Sequence, residues 1–217
     1  MIMPTRMPSR SRGFNLLEVL VALVIVMIGL LGIAGLQARA HTSELESYQR
    51  AQALVLLYDM VDRINNNRLT ARCFAITTDT TNGTSYLGTA SGGGHLSTPT
   101  SACAISTSAN NLLANNSINN WDDVLRGAAE TKGAGASEVG AMIGARGCVS
   151  YNAATEYVDA ATGANIADTG EYTVAVAWQG MAETFAPTIA CGKDLYGSET
   201  KRRTVWVTMR QGTLIGR

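Results

Sequence analysis

The sequence predicts an α+β fold in which a long N-terminal helix packs on a C-terminal antiparallel β-sheet. Three observations carry that prediction. An apolar run follows a short basic leader, an uninterrupted stretch with helical periodicity continues it, and the last third of the chain alternates apolar with polar residues.

The apolar run reads "FNLLEVLVALVIVMIGLLGIAGL", residues 14–36. As a helix it would extend roughly 35 Å, enough to cross a bilayer. Arg6, Arg10 and Arg12 precede it with no acid among them. That bias places the N-terminus in the cytoplasm and residues 37–217 on the far side. A secretory signal peptide is the rival reading, since "ARA" at residues 38–40 imitates a cleavage site. The uninterrupted apolar core from Val19 to Leu36 exceeds the roughly 7–15 residues of a signal peptide and favours a retained helix. Glu18 is the anomaly. A carboxylate at the edge of hydrocarbon costs on the order of 3 kcal/mol, so it calls for a partner.

From Leu36 to Asn82 the chain has neither glycine nor proline. Within it, "SELESYQRAQALVLLYDMVDRINNNR" spaces Leu54, Leu57, Tyr58, Val61 and Ile64 by three and four residues, the pattern of an amphipathic helix. The expectation is one helix from about Phe14 to Arg68, ending near the asparagines at 65–67. Residues 77–111 are rich in Thr, Ser, Gly and Asn and read as irregular. "SINNWDDVLRGAAE" reads as a short helix capped by Ser117, with Trp121, Val124 and Leu125 on one side. "TKGAGASEVGAMIG" reads as a flexible connection. It is not a phosphate loop, because no Gly-Lys-Ser/Thr follows. Three strands close the chain: "ARGCVSYN", "EYTVAVAWQ" with Tyr172, Val174, Val176 and Trp178 on one face, and "RTVWVTMRQ" with Val205, Val207 and Met209 on one face. Their apolar face needs a cover, and the amphipathic half of the long helix supplies it.

Composition restricts function. Lysine plus arginine and aspartate plus glutamate balance at 17 each in 217 residues, so no nucleic-acid surface is indicated. The two histidines, His41 and His95, stand apart from each other, and none of Cys73, Cys103, Cys148 and Cys191 forms a close pair. No metal or other cofactor is therefore expected. Four widely spaced cysteines in an exported domain read as two disulfides, for which three connectivities exist. The preferred one joins Cys73 to Cys103 and Cys148 to Cys191. No catalytic triad or dyad stands out. Asp122 and Asp123 are neighbours on a helix and point in different directions. Trp121, Trp178 and Trp206 read as core or sheet-face residues. Nothing indicates an enzyme or a small-molecule substrate.

The stretch "RGFNLLEVLVAL" resembles the N-terminus of the type IV pilins and their pseudopilin relatives. It has a basic leader ending in Gly13, an aromatic Phe14, and Glu18 as the fifth residue after the glycine. The resemblance implies cleavage after Gly13 by a prepilin peptidase, N-methylation of Phe14, and a role for Glu18 in assembly and register. Three further stretches are similar to the minor pilins known as pilus modification proteins: "LLYDMVDRINNNR", "INNWDDVLRGAAE", and "YTVAVAWQG" with the later "CG" and "RR". One departure stands out. Many major pilins carry a proline where this chain has Gly35.

The expected organisation is a cleaved leader over 1–13, a transmembrane and assembly half-helix over 14–36, an amphipathic half-helix over 37–68, and a periplasmic head over 69–217. The implied function is that of a minor pilin, a structural subunit held in the bacterial inner membrane and then built into the pilus. Its implied partners are the prepilin peptidase, the inner membrane and other major and minor pilins. A type II secretion pseudopilin shares the N-terminal logic, and a membrane-anchored periplasmic enzyme or binding domain is the alternative of another class.

Overall fold

The apolar run and the amphipathic stretch form one helix, α1, spanning Leu16–Asn66. The computed structural model describes residues 13, 15–90, 93–96, 103–128, 131–132, 137–138 and 142–212. The chain divides into two compact units, Met1–Leu45 and Glu46–Arg217, and α1 contributes residues to both.

In the second unit a four-stranded antiparallel sheet is ordered β1-β4-β5-β6, with β1 at Leu87–Gly88, β4 at Arg146–Asn152, β5 at Glu171–Gln179 and β6 at Arg202–Arg210. The three alternating segments are thus joined by a fourth, two-residue strand too short for any sequence period to announce. The supposed flexible connection contains a small antiparallel pair, β2 (Thr131–Lys132) with β3 (Ser137–Glu138). The register across the sheet aligns Gly147, Val176 and Val205 on one row and Cys148, Ala175 and Trp206 on the next.

The inner face of the sheet is covered by α1 and by α2 (Ser108–Arg126). Two sequence expectations are corrected here. Helix α2 starts nine residues before Ser117, capped by the Thr107 hydroxyl, which accepts from the Asn110 amide at 3.3 Å. Its asparagines are weak helix formers that disguise it, yet Ala114, Ile118, Trp121 and Leu125 recur at helical spacing and are buried. On α1 the buried face is Ala53, Leu56, Leu57, Met60 and Ile64, whereas Leu54 and Tyr58 are exposed and Val61 is half-buried. Five consecutive apolar residues, Leu54 to Tyr58, fit more than one stripe. One further correction concerns a single residue: Val124 faces outward. Trp206 is a half-exposed residue of the sheet face, while Trp121 and Trp178 are buried in the core.

Trp121 organises the core. Its indole Nε1 donates to the Leu56 carbonyl of α1 at 3.0 Å, while its six-membered ring lies over Gly147 of β4. A side chain at Gly147 would occupy the space of that ring, with a Cβ only 2.1 Å from Trp121 Cη2. Buried Asp122 accepts from the Gly88 amide at 2.6 Å and from Arg126 Nε at 3.1 Å, tying α2 to β1. Asp123 also meets Arg126, so the guanidinium spans both neighbouring carboxylates.

Two polar contacts fix the second unit's part of α1 along β6. Glu46 accepts from the Met181 and Ala182 amides at 3.0 and 3.1 Å and from Arg203 Nη2 at 3.2 Å. Near the other end, Gln211 Nε2 donates to the Ile64 carbonyl at 2.9 Å. Glu46 to Ile64 is about 27 Å of helix at 1.5 Å per residue. Arg203 to Gln211 is about 27 Å of strand at 3.4 Å per residue. The two elements run in the same direction and keep pace.

The outer face of the sheet carries a second cluster of Tyr86, Cys148, Ala175, Ala177, Cys191 and Tyr196. Arg202 holds the covering loop down: its guanidinium bonds Glu199 and donates to the carbonyls of Pro187, Ile189 and Cys191. Tyr196 donates to the Gly144 carbonyl at 2.8 Å. Burial pushes its phenol up to about 12, against an ordinary value near 10. Below pH 10 the group is protonated whether folded or unfolded. Between about 10 and 12 the unfolded chain gives up the proton and the folded one keeps it, so stability falls as pH rises through that window. Tyr151 and Tyr172 are raised as well, chiefly by burial, and add to the effect. We expect the thermal midpoint to drop steeply above pH 10, and Tyr196→Phe to flatten part of that drop. A midpoint unchanged from pH 9 to 11.5 would contradict it.

Candidate functional site

The sequence directs attention to residues 13–18. Gly13 is exposed, and a methyl group added to it would meet no atom within 4 Å. Phe14 lies outside the described residues. The Asn15 carbonyl accepts from the Glu18 amide at 2.9 Å and the Val19 amide at 3.3 Å, and α1 begins there. Glu18 therefore occupies the first turn, where a carboxylate complements the positive end of the helix dipole. That interaction is available within one chain. It does not by itself place an acid beside a run that water avoids.

After Glu18 the helix is apolar on every side. Leu20, Leu23, Met27, Leu30, Leu31 and Leu36 are each more than half exposed. A helix apolar all round belongs in lipid or among other helices. This one is long and apolar enough to cross a membrane. Gly29, Gly32 and Gly35 recur every third residue without breaking it, and each would admit a Cβ freely. Glycine lacks the side-chain bulk that keeps helices apart, so the row forms a shallow notch on one flank.

In the second unit the structure joins Cys73 to Cys103 and Cys148 to Cys191, with Cα separations of 5.4 and 5.8 Å. Cys73 lies in the 3₁₀ turn Arg68–Phe74 that follows α1. Cys148 sits in β4 with its sulfur turned to the outer face, where Cys191 anchors the covering loop. The sequence separations of 30 and 43 residues correspond to about 4 kcal/mol each in the chain-entropy model, an upper figure.

Among the described residues, no three His, Cys, Asp or Glu side chains gather as metal ligands. His41 lies 3.7 Å from Glu44 and His95 lies 3.9 Å from Asp122, each a pair and not a triad. The polar residues whose partners sequence reasoning did not foresee are Glu46, Asp122, Arg202 and Arg203. Each serves to hold helix, strand and loop together. The "RR" pair is built from two clamps: Arg202 on the loop over the outer face, and Arg203 on Glu46 and the Ala182 carbonyl.

Residues 8–34 match the family model described as the prokaryotic N-terminal methylation motif. No curated protein and no solved structure gives a significant match. The matched segment contains Gly13, Phe14 and Glu18 together with most of the apolar run. Such a motif supports a structural subunit of the type IV pilin or pseudopilin kind. It implies processing by a prepilin peptidase, membrane anchoring and assembly with other pilins.

Proposed function

We propose that the chain is a minor type IV pilin of the PilV kind, made as a precursor and built into the pilus. The observation that carries this reading is the methylation motif at residues 8–34, with Glu18 in the first turn of an apolar helix. The similar stretches "LLYDMVDRINNNR", "INNWDDVLRGAAE" and "YTVAVAWQG" favour the minor-pilin branch over a secretion pseudopilin. On this reading residues 1–13 are removed on the cytoplasmic side. Phe14 becomes the methylated N-terminus, residues 14–36 hold the membrane, and residues 69–217 form a periplasmic head displayed on the filament. Cys73–Cys103 and Cys148–Cys191 brace that head in an oxidising compartment.

Processing is the direct test. A protease that needs an extended, uncrowded scissile bond is served by Gly13, which has no Cβ. The mature chain should begin with N-methylphenylalanine at Phe14. Gly13→Val should retain the leader, raising the mass on a gel, and should leave the protein out of sheared filaments. A mature N-terminus at Met1 or His41 would refute the assignment. Recovery of the processed chain with secretion-system pseudopilins, and not with pili, would transfer it to that relative.

A further inference from the structure

Among the described residues, strand β6 is an unpaired edge of the sheet, and the sequence along it is a palindrome: Thr204-Val205-Trp206-Val207-Thr208. We propose that β6 is a self-recognition surface on which a second copy of this chain adds its own β6 antiparallel, with Trp206 opposite Trp206.

The backbone decides which residues are available. Val149 of β4 exchanges bonds with Thr77: its amide donates to Thr77 Oγ1 and its carbonyl accepts from the Thr77 amide, both on the side away from β5. Ladder alternation then turns the backbone groups of Val174 and Val176 towards β6, and those of Thr204, Trp206 and Thr208 outward. Among the described residues, nothing bonds those outward amides and carbonyls. The opposite side of the sheet is treated differently, since Thr77 occupies Val149, and Gly94 and Leu96 occupy Tyr86.

Exposed edges are ordinarily blunted by proline, lysine, a bulge or a short strand. Here nine residues pair with β5 in unbroken register, and no proline or lysine falls within them. The arginines at the strand's ends are engaged with Glu199, Glu46 and Glu171 and do not guard its middle.

The palindrome selects the occupant. An antiparallel pair centred on Trp206 sets Thr204 against Thr208 and Val205 against Val207 at every crossing. Threonine–threonine, β-branched and aromatic pairs are the favourable cross-strand combinations. Residue i meets residue j and j meets i, the condition for a two-fold interface. Trp206, half-exposed on the outer face, gains a partner of its own kind. The two-fold also reverses residues 46–66 of α1, which run alongside β6. If the chain is a pilin, such a pair joins heads on oppositely directed filaments or facing membranes, not neighbours within one filament. The pairing itself rests on β6 alone and is tested apart from that reading.

The experiment uses the full chain in detergent micelles. Light scattering corrected for detergent should give the mass of two chains at high concentration. Thr204→Cys mixed with Thr208→Cys should crosslink under oxidation at least tenfold more than either variant alone, because only the mixture brings the two positions face to face. Trp206→Lys should weaken association at least tenfold with an unchanged melting curve. Thr204→Pro, which removes an outward amide and no bond to β5, should do the same. A one-chain mass throughout, equal crosslinking of single and mixed variants, or association unaffected by both Trp206→Lys and Thr204→Pro would overturn the proposal.

Discussion

Gly147→Val is expected to destabilise the head by about 3 kcal/mol or more, at the upper end of what overpacking a core costs. The reason lies in one contact. A Cβ at residue 147 would stand 2.1 and 2.3 Å from Trp121 Cη2 and Cζ3 and 2.7 Å from Leu125 Cδ1. Those atoms cannot simply swing away. The Trp121 indole is held by the Leu56 carbonyl at 3.0 Å, and Leu125 is buried on the same helix face. The strand cannot retreat either, because Gly147 is paired to Leu87 on one side and Val176 on the other. For a domain of this size the loss should lower the thermal midpoint by roughly 10 °C. A double-mutant cycle supplies the check. Trp121→Leu vacates part of the contested volume, so the double variant should lose at least about 1 kcal/mol less than the two single losses together. A wild-type midpoint for Gly147→Val would show that α2 does not pack on β4 through this contact.

Glu18→Ala should be inserted and cleaved after Gly13, yet enter filaments at least tenfold less than the wild-type chain. Under the proposed function, cleavage creates a positive amine on Phe14, close in depth to the carboxylate of Glu18. Both are costly in hydrocarbon when unpaired. A neighbour docked at the right axial height pairs the amine of one chain with the acid of another, and a slipped neighbour leaves both bare. Tenfold exclusion needs a difference of only about 1.4 kcal/mol, well within that penalty. Pairing between the amine and the acid of the same chain would predict no assembly defect. Sheared filaments containing Glu18→Ala at wild-type levels would favour that simpler account. Leader removal is read from the mass of the same sample, which separates a docking defect from a processing defect.

The range of each interaction decides whether the sequence reveals it or hides it. Strands β5 and β6 were legible because successive residues of a strand face opposite sides of the sheet, so the larger apolar side chains recur at every second position. The apolar half of α1 was legible for a similar local reason: length and unbroken hydropathy need no partner to be recognised. The inward face of α1 was not, because Leu54 to Tyr58 offers several apolar stripes and the choice was made by Trp121 and the sheet. The start of α2 was hidden behind asparagines whose propensity tertiary packing overrides. Nothing beside Asp122 or Glu46 in the sequence announces a structural role. Their partners arrive from Gly88, 34 residues away, and from Arg203, 157 residues away, separations no local window samples. Gly147 carried no signal at all, since a glycine emptied for an indole looks like any other glycine. In the N-terminal segment, a spacing of a few residues around Gly13, Phe14 and Glu18 was enough to bring the methylation motif into view.

The equal pace of α1 and β6 limits how this chain tolerates insertions and deletions. Glu46 and Gln211 tie the two elements together near both ends of the shared stretch. One residue added to the strand between those ties lengthens it by about 3.4 Å and turns every later side chain to the other face. Two residues added to the helix would recover about 3 Å, but they would rotate the next turns by roughly 200° and carry Ile64 off the core. No number of residues added to the helix repairs that one-residue insertion, because the later side chains of the strand have already changed face. Length changes in the head are therefore confined to segments outside the ties, such as the loops before β5 and between β5 and β6, and a library of single-residue insertions should show a silent stretch of survivors there and none between Arg203 and Gln211.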